Sequence, residues 1–250
     1  MNPIRRHAET VAAPFLVACL YAALILTSGA GRPSQIIAAL FFVVVLGLWV
    51  AFRRLRVHAA ASRLINIGRP DELEKLIERE VPRRWTEGTR APLYVFAAMG
   101  KNLAAQYDEA TRALATSGIK LGSKDLTSWQ LLWAAADVHA RTGLGDVAGA
   151  KASYTKGVES HGKLPMTGAV ELLAHECEAR IALAEGDTAR ARELVTPMTK
   201  DIRLGPGARA QLHALLAEAL AADGDADGAR TQAAKARELA PRCVFPKLPA

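Results

Sequence analysis

Two short segments contain residue types that could bind a nucleotide. Residues 157–163, GVESHGK, match the first seven positions of a phosphate-binding loop, whose backbone amides and lysine cradle phosphates. However, Leu164 stands where the magnesium ion needs a Ser or Thr hydroxyl. The segment also follows a helix and runs into Pro165, whereas a phosphate-binding loop links a strand to a helix. Residues 143–145, GLG, contain two glycines of a dinucleotide loop but are better explained as a turn between helices. We therefore expect no nucleotide or other cofactor.

A metal site is not expected either. Residues 175–178, HECE, have metal-binding side chains, but residues two apart on a helix diverge by about 200° and cannot chelate one ion together. We interpret Cys177 as a core residue between solvated charges. The remaining histidines share no spacing that would assemble a site; they are His7, His58, His139, His161 and His213. We predict no catalytic or metal-binding residue, and hence no enzyme.

A helical repeat organises residues 53–250. A short turn, followed four residues later by an apolar or small residue, recurs five times at spacings of 37, 40, 41 and 38. The turn residues are Arg69, Gln106, Asp146, Asp187 and Asp225; the residues four later are Leu73, Ala110, Ala150, Ala191 and Ala229. An Ala/Leu-rich helical segment precedes each turn and a second follows it. The repeating unit is therefore a helix, a tight turn and a helix.

The apolar residues have helical spacing, and no segment alternates with the period of a strand. One such stripe runs along residues 212–220, where it includes Leu212, Leu216 and Ala219. Stacked helix pairs of this kind build an α-solenoid, in which each repeat contacts mainly its neighbours. The sequence predicts an all-α fold.

The last unit resembles the tetratricopeptide repeat (TPR). Leu216 and Ala217 on its first helix, Ala229 and Ala236 on its second, and Pro241 after it fall at that family's signature positions, over about 34 residues. The other units keep the turn and the alanine after it, but Asp137 and Glu178 sit where the family has apolar residues. We describe residues 53–250 as a TPR-like domain of about five helix pairs.

The TPR resemblance implies a protein partner, because the first helices of such arrays line a groove that grips an extended peptide or a helix. The groove positions it implies are Met99, Asn102, Gln211 and Glu218. No basic cluster favours a C-terminal peptide ligand. Trp129 and Trp133 lie four residues apart on one helical face, and we expect them to be core residues.

Before the repeats, residues 10–31 and 33–52 are two uncharged stretches separated by Arg32. At ~1.5 Å rise per residue, each is long enough to cross the roughly 30 Å hydrocarbon core of a membrane. We predict a two-helix transmembrane anchor in residues 1–52, with lipid contacts along residues 11–52. A cleaved signal peptide and a lipoprotein site at Cys19 are alternatives, but the first apolar stretch is long for a signal peptide and continues past Cys19.

Positive charge flanks both apolar stretches. Arg5 and Arg6 precede the first and Arg53, Arg54 and Arg56 follow the second, which predicts that both termini are cytoplasmic, at a bacterial-type inner membrane, with the three later arginines near lipid headgroups. An apolar hairpin before helical repeats is also similar in layout to HemY-type bacterial membrane proteins.

The net charge of +7 lies near the predicted membrane: residues 71–250 have 24 basic and 24 acidic residues. A neutral body argues against nucleic-acid binding. Three widely separated cysteines, Cys19, Cys177 and Cys243, fit a reducing compartment. The favoured hypothesis is a membrane-anchored adaptor that presents the repeats to a protein partner. The alternative is an accessory subunit or regulator of a membrane-bound enzyme, contacted through the hairpin.

Overall fold

The computed structural model of the chain describes residues 32–83, 86–122, 127–161 and 168–248. These residues form ten α-helices and one short 3₁₀ helix, Val81–Arg83, so the predicted all-α fold is confirmed for the described part of the chain. The helices are α1 (Arg32–Asn66), α2 (Pro70–Glu80), α3 (Glu87–Leu103), α4 (Tyr107–Thr116), α5 (Thr127–Leu144), α6 (Val147–His161), α7 (Ala169–Ala184), α8 (Thr188–Met198), α9 (Pro206–Ala222) and α10 (Ala226–Leu239).

Helix α1 contains the second predicted membrane span, whereas the first, residues 10–31, lies outside the described residues. The large exposed apolar residues of α1 are Ile36, Ile37, Leu40, Phe41, Val43, Val44, Leu46, Leu48, Phe52 and Leu55. Among the helices that the structure describes, none is both long and apolar enough to cross a membrane. The predicted transmembrane anchor therefore stays a prediction. The boundary between the two compact units of the chain falls within α1, between Ala59 and Ala60.

All five predicted turns lie between two helices and share one backbone structure. In each, the N–H of the turn residue donates to the carbonyl five residues earlier, over 2.8–2.9 Å, which closes the preceding helix. The carbonyl of the same residue accepts from the N–H four residues later, over 3.0–3.1 Å, which opens the next helix. The residue before it is left-handed in every turn, with φ between 57° and 86°. Four turns have glycine there, and the second has Ala105.

Aspartate caps the second helix in the last three turns. The Oδ1 atoms of Asp146, Asp187 and Asp225 accept the backbone N–H three residues later at 2.9, 3.0 and 2.9 Å. This bond satisfies one of the free amides at a helix start. Arg69 and Gln106, at the same position, make no such side-chain bond.

The residue four positions after each turn is buried. Leu73, Ala110, Ala150, Ala191 and Ala229 are all at most 1% exposed. A small side chain at this position lets the first turn of the second helix approach its partner closely. The burial agrees with the repeat register that the sequence predicts.

The helices pack in sequential pairs: α3 with α4, α5 with α6, α7 with α8, and α9 with α10. The second helix of each pair also contacts the first helix of the next pair. Helices α3, α5, α7 and α9, which we call the first helices, contact one another in that order. They therefore form a continuous layer, and the observed arrangement is that of a helical repeat.

Polar bonds replace apolar packing at the two positions that depart from the TPR pattern. Asp137 is 2% exposed, and its Oδ2 accepts from Ser153 Oγ at 2.5 Å and from Arg141 Nε at 2.6 Å. Glu178 Oε1 accepts from the hydroxyl of Tyr154 at 2.6 Å. In both cases the acceptor lies on a first helix and a donor lies on α6. A hydrogen bond between helices therefore takes the place of the apolar contact that the TPR pattern has at this position.

Candidate functional site

The first helices line a partly open cavity of about 340 Å³. Side chains of α3, α5, α7 and α9 form most of its wall, and residues at the end of α1 complete it. Much of the wall is apolar, including Phe96, Leu132, Leu173 and Leu212. A cavity of this size and composition falls within the range of binding sites in proteins.

The four residues predicted to line a groove all face this region. Met99, Asn102 and Gln211 line the cavity. Glu218 lines a second cavity of about 290 Å³, formed by the C-terminal ends of α5, α7 and α9. The sequence interpretation therefore located the inner surface of the array; whether a partner binds there stays a prediction.

Two residues that the sequence interpretation missed, His139 and Arg180, line both cavities. They occupy the same repeat position as two residues that it named. Met99, His139, Arg180 and Glu218 each stand seven residues before the turn residue of their own pair. The sequence contained the information needed to find them, because the position seven residues before each turn residue, which Met99 and Glu218 occupy, is occupied by His139 and Arg180 in the other two pairs. We call these four residues the inner column.

Asn102 is 2% exposed, and only one of the two polar atoms of its side chain has a hydrogen-bond partner. Its Nδ2 donates to the carbonyl of Ala136 on α5 at 2.8 Å, which fixes the amide between two neighbouring first helices. Its Oδ1 is buried and has no hydrogen-bond partner within the described chain. A buried acceptor without a partner costs free energy, on the order of 1–3 kcal/mol.

Arg180 is buried in the same wall and is paired on two sides. Its Nε and Nη2 donate to Glu176 Oε1 at 3.0 and 2.8 Å, one helical turn earlier on α7. Its Nη2 also lies 3.2 Å from Gln211 Oε1 on α9. The Nε2 of Gln211 is a buried donor that finds no acceptor in the residues described. The wall therefore offers one unmet acceptor, on Asn102, and one unmet donor, on Gln211.

Burial changes the protonation of the inner column. It lowers the pKa of His139 well below its usual value, and the positive charges of Arg180 and Lys247 lower it further. Burial also raises the pKa of Glu218, although Lys247 and Arg180 partly oppose that change. In both residues burial favours the neutral form, because it removes water from around the charged form.

The segments that resemble nucleotide-binding loops belong to helices and turns where the structure describes them. Residues 157–161 of the phosphate-loop match are the end of α6, and residues 162–167, with Lys163, lie outside the described residues. Gly143 belongs to α5, and Gly145 is the left-handed residue of the third turn. Within the described ranges, no group of three or more His, Cys, Asp or Glu side chains could hold a metal ion.

Cys177 lines the first cavity but is a poor nucleophile. Its side chain is buried, as the sequence predicted, and burial together with the adjacent carboxylate of Glu176 raises the pKa of the thiol. A thiol that stays protonated is neither a good nucleophile nor a good metal ligand.

The two tryptophans of α5 pack against the cluster formed by α3, α4 and α5, as predicted. Trp129 meets Phe96 edge to face, with ring centroids 5.4 Å apart. The indole Nε1 of Trp133 lies 3.2 Å from both the Leu114 carbonyl and Ser117 Oγ. Both rings therefore hold neighbouring pairs together behind the inner column.

Comparison with protein-family models gives no match, and comparison with curated proteins finds no significant relative. The inner surface of the array combines a mostly apolar cavity with two side-chain amides, each of which has one atom without a hydrogen-bond partner, and with the Met, His, Arg and Glu side chains of the inner column.

Proposed function

We propose that this chain is a membrane-attached adaptor that holds a segment of a protein partner against the inner surface of its helical repeats. The observation that carries the proposal is the pair of unmet hydrogen-bonding atoms beside the apolar cavity, Asn102 Oδ1 and Gln211 Nε2. A polypeptide segment offers both an N–H and a C=O with every residue, and an apolar side chain of that segment suits the cavity.

The TPR-like sequence pattern supports the same surface. In arrays of that type the first helices bind the ligand, and here Met99, Asn102 and Gln211 line the first cavity and Glu218 lines the second, which supports the proposal. The four chemically different side chains of the inner column would distinguish one partner segment from another, because each reads a different part of it.

We further propose that residues 11–52 attach the chain to a membrane. The exposed apolar side chains of α1 at positions 36–52 support this, since they follow one another without forming a single stripe that a neighbouring helix could cover. Arg53 and Arg56 lie over the rings of Trp49 and Phe52, at 5.8 and 5.9 Å from the ring centroids. Aromatic rings beside cations suit the headgroup region of a bilayer, and Arg54 adds a third positive charge to this part of the sequence.

Site-specific photo-crosslinking tests the adaptor proposal. A photoreactive residue replaces Met99 in the full chain, expressed in its native membrane, and the control carries the same residue at Glu193, an exposed position on α8. We expect a defined protein adduct from position 99 and none from position 193. Asn102→Leu together with Gln211→Leu in the position-99 chain should reduce that adduct, because neither side chain can then bond to the partner backbone.

The outcomes separate the two functional hypotheses. Loss of the adduct in the Asn102→Leu and Gln211→Leu chain supports binding at the inner surface. An adduct that persists there, or equal adducts at positions 99 and 193, contradicts it. A partner that co-purifies only when residues 1–52 are present, without any adduct at position 99, favours the accessory subunit contacted through the N-terminal segment.

Membrane attachment and topology need their own test. The full chain should resist alkaline extraction from membranes, and a chain starting at Arg53 should be released. A reporter fused after Ala250 should be active only as a cytoplasmic reporter, because both apolar stretches are flanked by arginine. Extraction of the full chain by alkali, or a periplasmic signal, would overturn this part of the proposal.

A further inference from the structure

The chain continues past α10 as a tail, residues 241–248, that consists of two turns joined by Val244 and Phe245 and returns across the array. The backbone N–H of Val244 donates to the carbonyl of Leu103, at the end of α3, over 2.9 Å. Leu103 itself lines the first cavity. The tail therefore leaves the last helix pair and lies beside the C-terminal end of a first helix near the beginning of the array.

Two cations fix the tail at its ends. Arg242 Nη1 lies 3.0 Å from Asp71 Oδ2 and 3.1 Å from Glu72 Oε1, in the first turn of α2. Lys247 Nζ lies 4.0 Å from Glu218 Oε2 of the inner column, and Lys247 forms part of the wall of the second cavity. Between them, Val244 pairs with the backbone of α3. The tail thus spans from one end of the array to the inner column.

Three side chains of the tail are about half exposed. The side chain of Val244 is 49% exposed, and the side chains of Arg242 and Lys247 are 49% and 54% exposed. Exposed ion pairs contribute little free energy, typically about 0–1 kcal/mol each. Segments with few buried contacts open locally without unfolding the rest of the protein.

We propose that this C-terminal tail is an internal ligand of the inner surface and controls access to it. This inference rests on the proposed function, because it concerns the same surface. In the closed state Lys247 of the tail pairs with Glu218 and forms one side of the second cavity. A partner segment with an apolar centre and a cation that pairs with Glu218 must displace the tail to occupy that side of the second cavity.

The test uses the tail as a separate peptide. A fluorescent peptide of residues 241–250, PRCVFPKLPA, is titrated into the full chain and into a chain that ends at Ala240, both in detergent. We expect binding to the shortened chain and binding at least about tenfold weaker to the full chain, since a tethered segment competes at a millimolar effective concentration. A peptide with glutamate in place of Arg242 and Lys247 is the matched control and should bind neither chain.

Equal binding of the peptide to both chains, or to neither, would overturn the proposal. A second measurement needs no shortened chain. The thiol of Cys243 lies against Gly68, and burial raises its pKa to about 11. In a full chain with Cys19→Ser, replacing Arg242 and Lys247 by alanine should speed the labelling of Cys243, while the buried Cys177 stays unreactive. An unchanged labelling rate would contradict a displaceable tail.

Failure of these tests and failure of the proposed function are distinguishable. A persistent adduct at position 99 with no effect of the tail would leave the adaptor standing without its internal ligand. Release of the tail without any adduct would leave a mobile tail on a surface that binds no partner.

Discussion

Gly207, the second residue of α9, lies directly against Gly68 in the first inter-helix turn. A Cβ added to Gly207 would come within 2.5 Å of the backbone nitrogen of Gly68 and of the carbonyl oxygen of Ile65. Gly68 also faces the last pair, since its own Cβ would lie 2.7 Å from that of Ala240. The first turn and the pair formed by α9 and α10 are therefore in contact, and glycine makes that contact possible.

Replacing Gly207 by alanine should destabilise the protein by roughly 1–3 kcal/mol, although alanine is the better helix former, because the backbone of 65–68 must move. Gly88 is the matched control, since it is the second residue of α3 and has no heavy atom within 4 Å of the corresponding Cβ. Gly88→Ala should stabilise by about 0.4–1 kcal/mol. Thermal unfolding of the full chain in detergent measures both; equal effects would show that the two ends do not touch.

Ala105 occupies the left-handed position that glycine occupies in the other four turns, with φ +57°. A left-handed alanine costs about 1–2 kcal/mol, and glycine loses about 0.4–1 kcal/mol more entropy on folding. Ala105→Gly should therefore stabilise the chain by about 0.5–1 kcal/mol. Gly186→Ala, the reverse change in the fourth turn, should destabilise it. The midpoint of chemical unfolding is the measurement, and a loss of stability in Ala105→Gly would contradict the shared turn structure.

Ala191 and Ala229 are at most 1% exposed, at the same position of two neighbouring repeats. Leucine at either position would overpack a close helix contact and should cost roughly 1–3 kcal/mol. Ala189, which is exposed on the same helix as Ala191, is the control and should tolerate leucine. If the thermal midpoints of Ala191→Leu and Ala229→Leu equal that of Ala189→Leu, the repeat register is wrong.

The imidazole of His139, which lines both cavities, predicts a loss of stability in acid. Its pKa is lowered in the folded state, so its contribution is fully present above the unfolded pKa, near 6.5, and is lost as the pH falls below that value. Tyr107 on α4, Arg180 on α7 and Lys247 of the tail face it, and both cations oppose its protonation.

His139→Gln should remove this loss. We expect the free energy of unfolding of the wild type to fall relative to His139→Gln by up to about 1.4 kcal/mol per pH unit below about pH 6.5, with a constant difference above about pH 7.5. His213→Gln is the comparison. Burial also lowers the pKa of His213, but the bond between its Nδ1 and Gln232 Oε1, at 2.7 Å, opposes that change, so we expect a smaller effect of the same sign. Parallel stability curves for wild type and His139→Gln would contradict a neutral imidazole at this position.

Much of the helical array could be predicted from the sequence because its signals are local. A left-handed glycine, a capping aspartate and a buried alanine lie within six residues of one another in the last three turns, and each is a known preference for that position. The turn at Asp187 and the small residue after it, Ala191, were both predicted from the repeat spacing of this pattern. The groove residues Met99 and Glu218 came from the TPR-like resemblance, and the same spacing would have added His139 and Arg180.

The sequence by itself determined the all-α fold and the five turns, since helix periodicity and turn chemistry depend on residues close together in the chain. Only the tertiary structure decided that Gly68 meets Gly207, that Arg180 pairs across α7 and α9 with Gln211, and that Arg242 reaches Asp71. The small rotation between successive helix pairs accumulates over the array, and no local pattern specifies which distant residues it finally brings together.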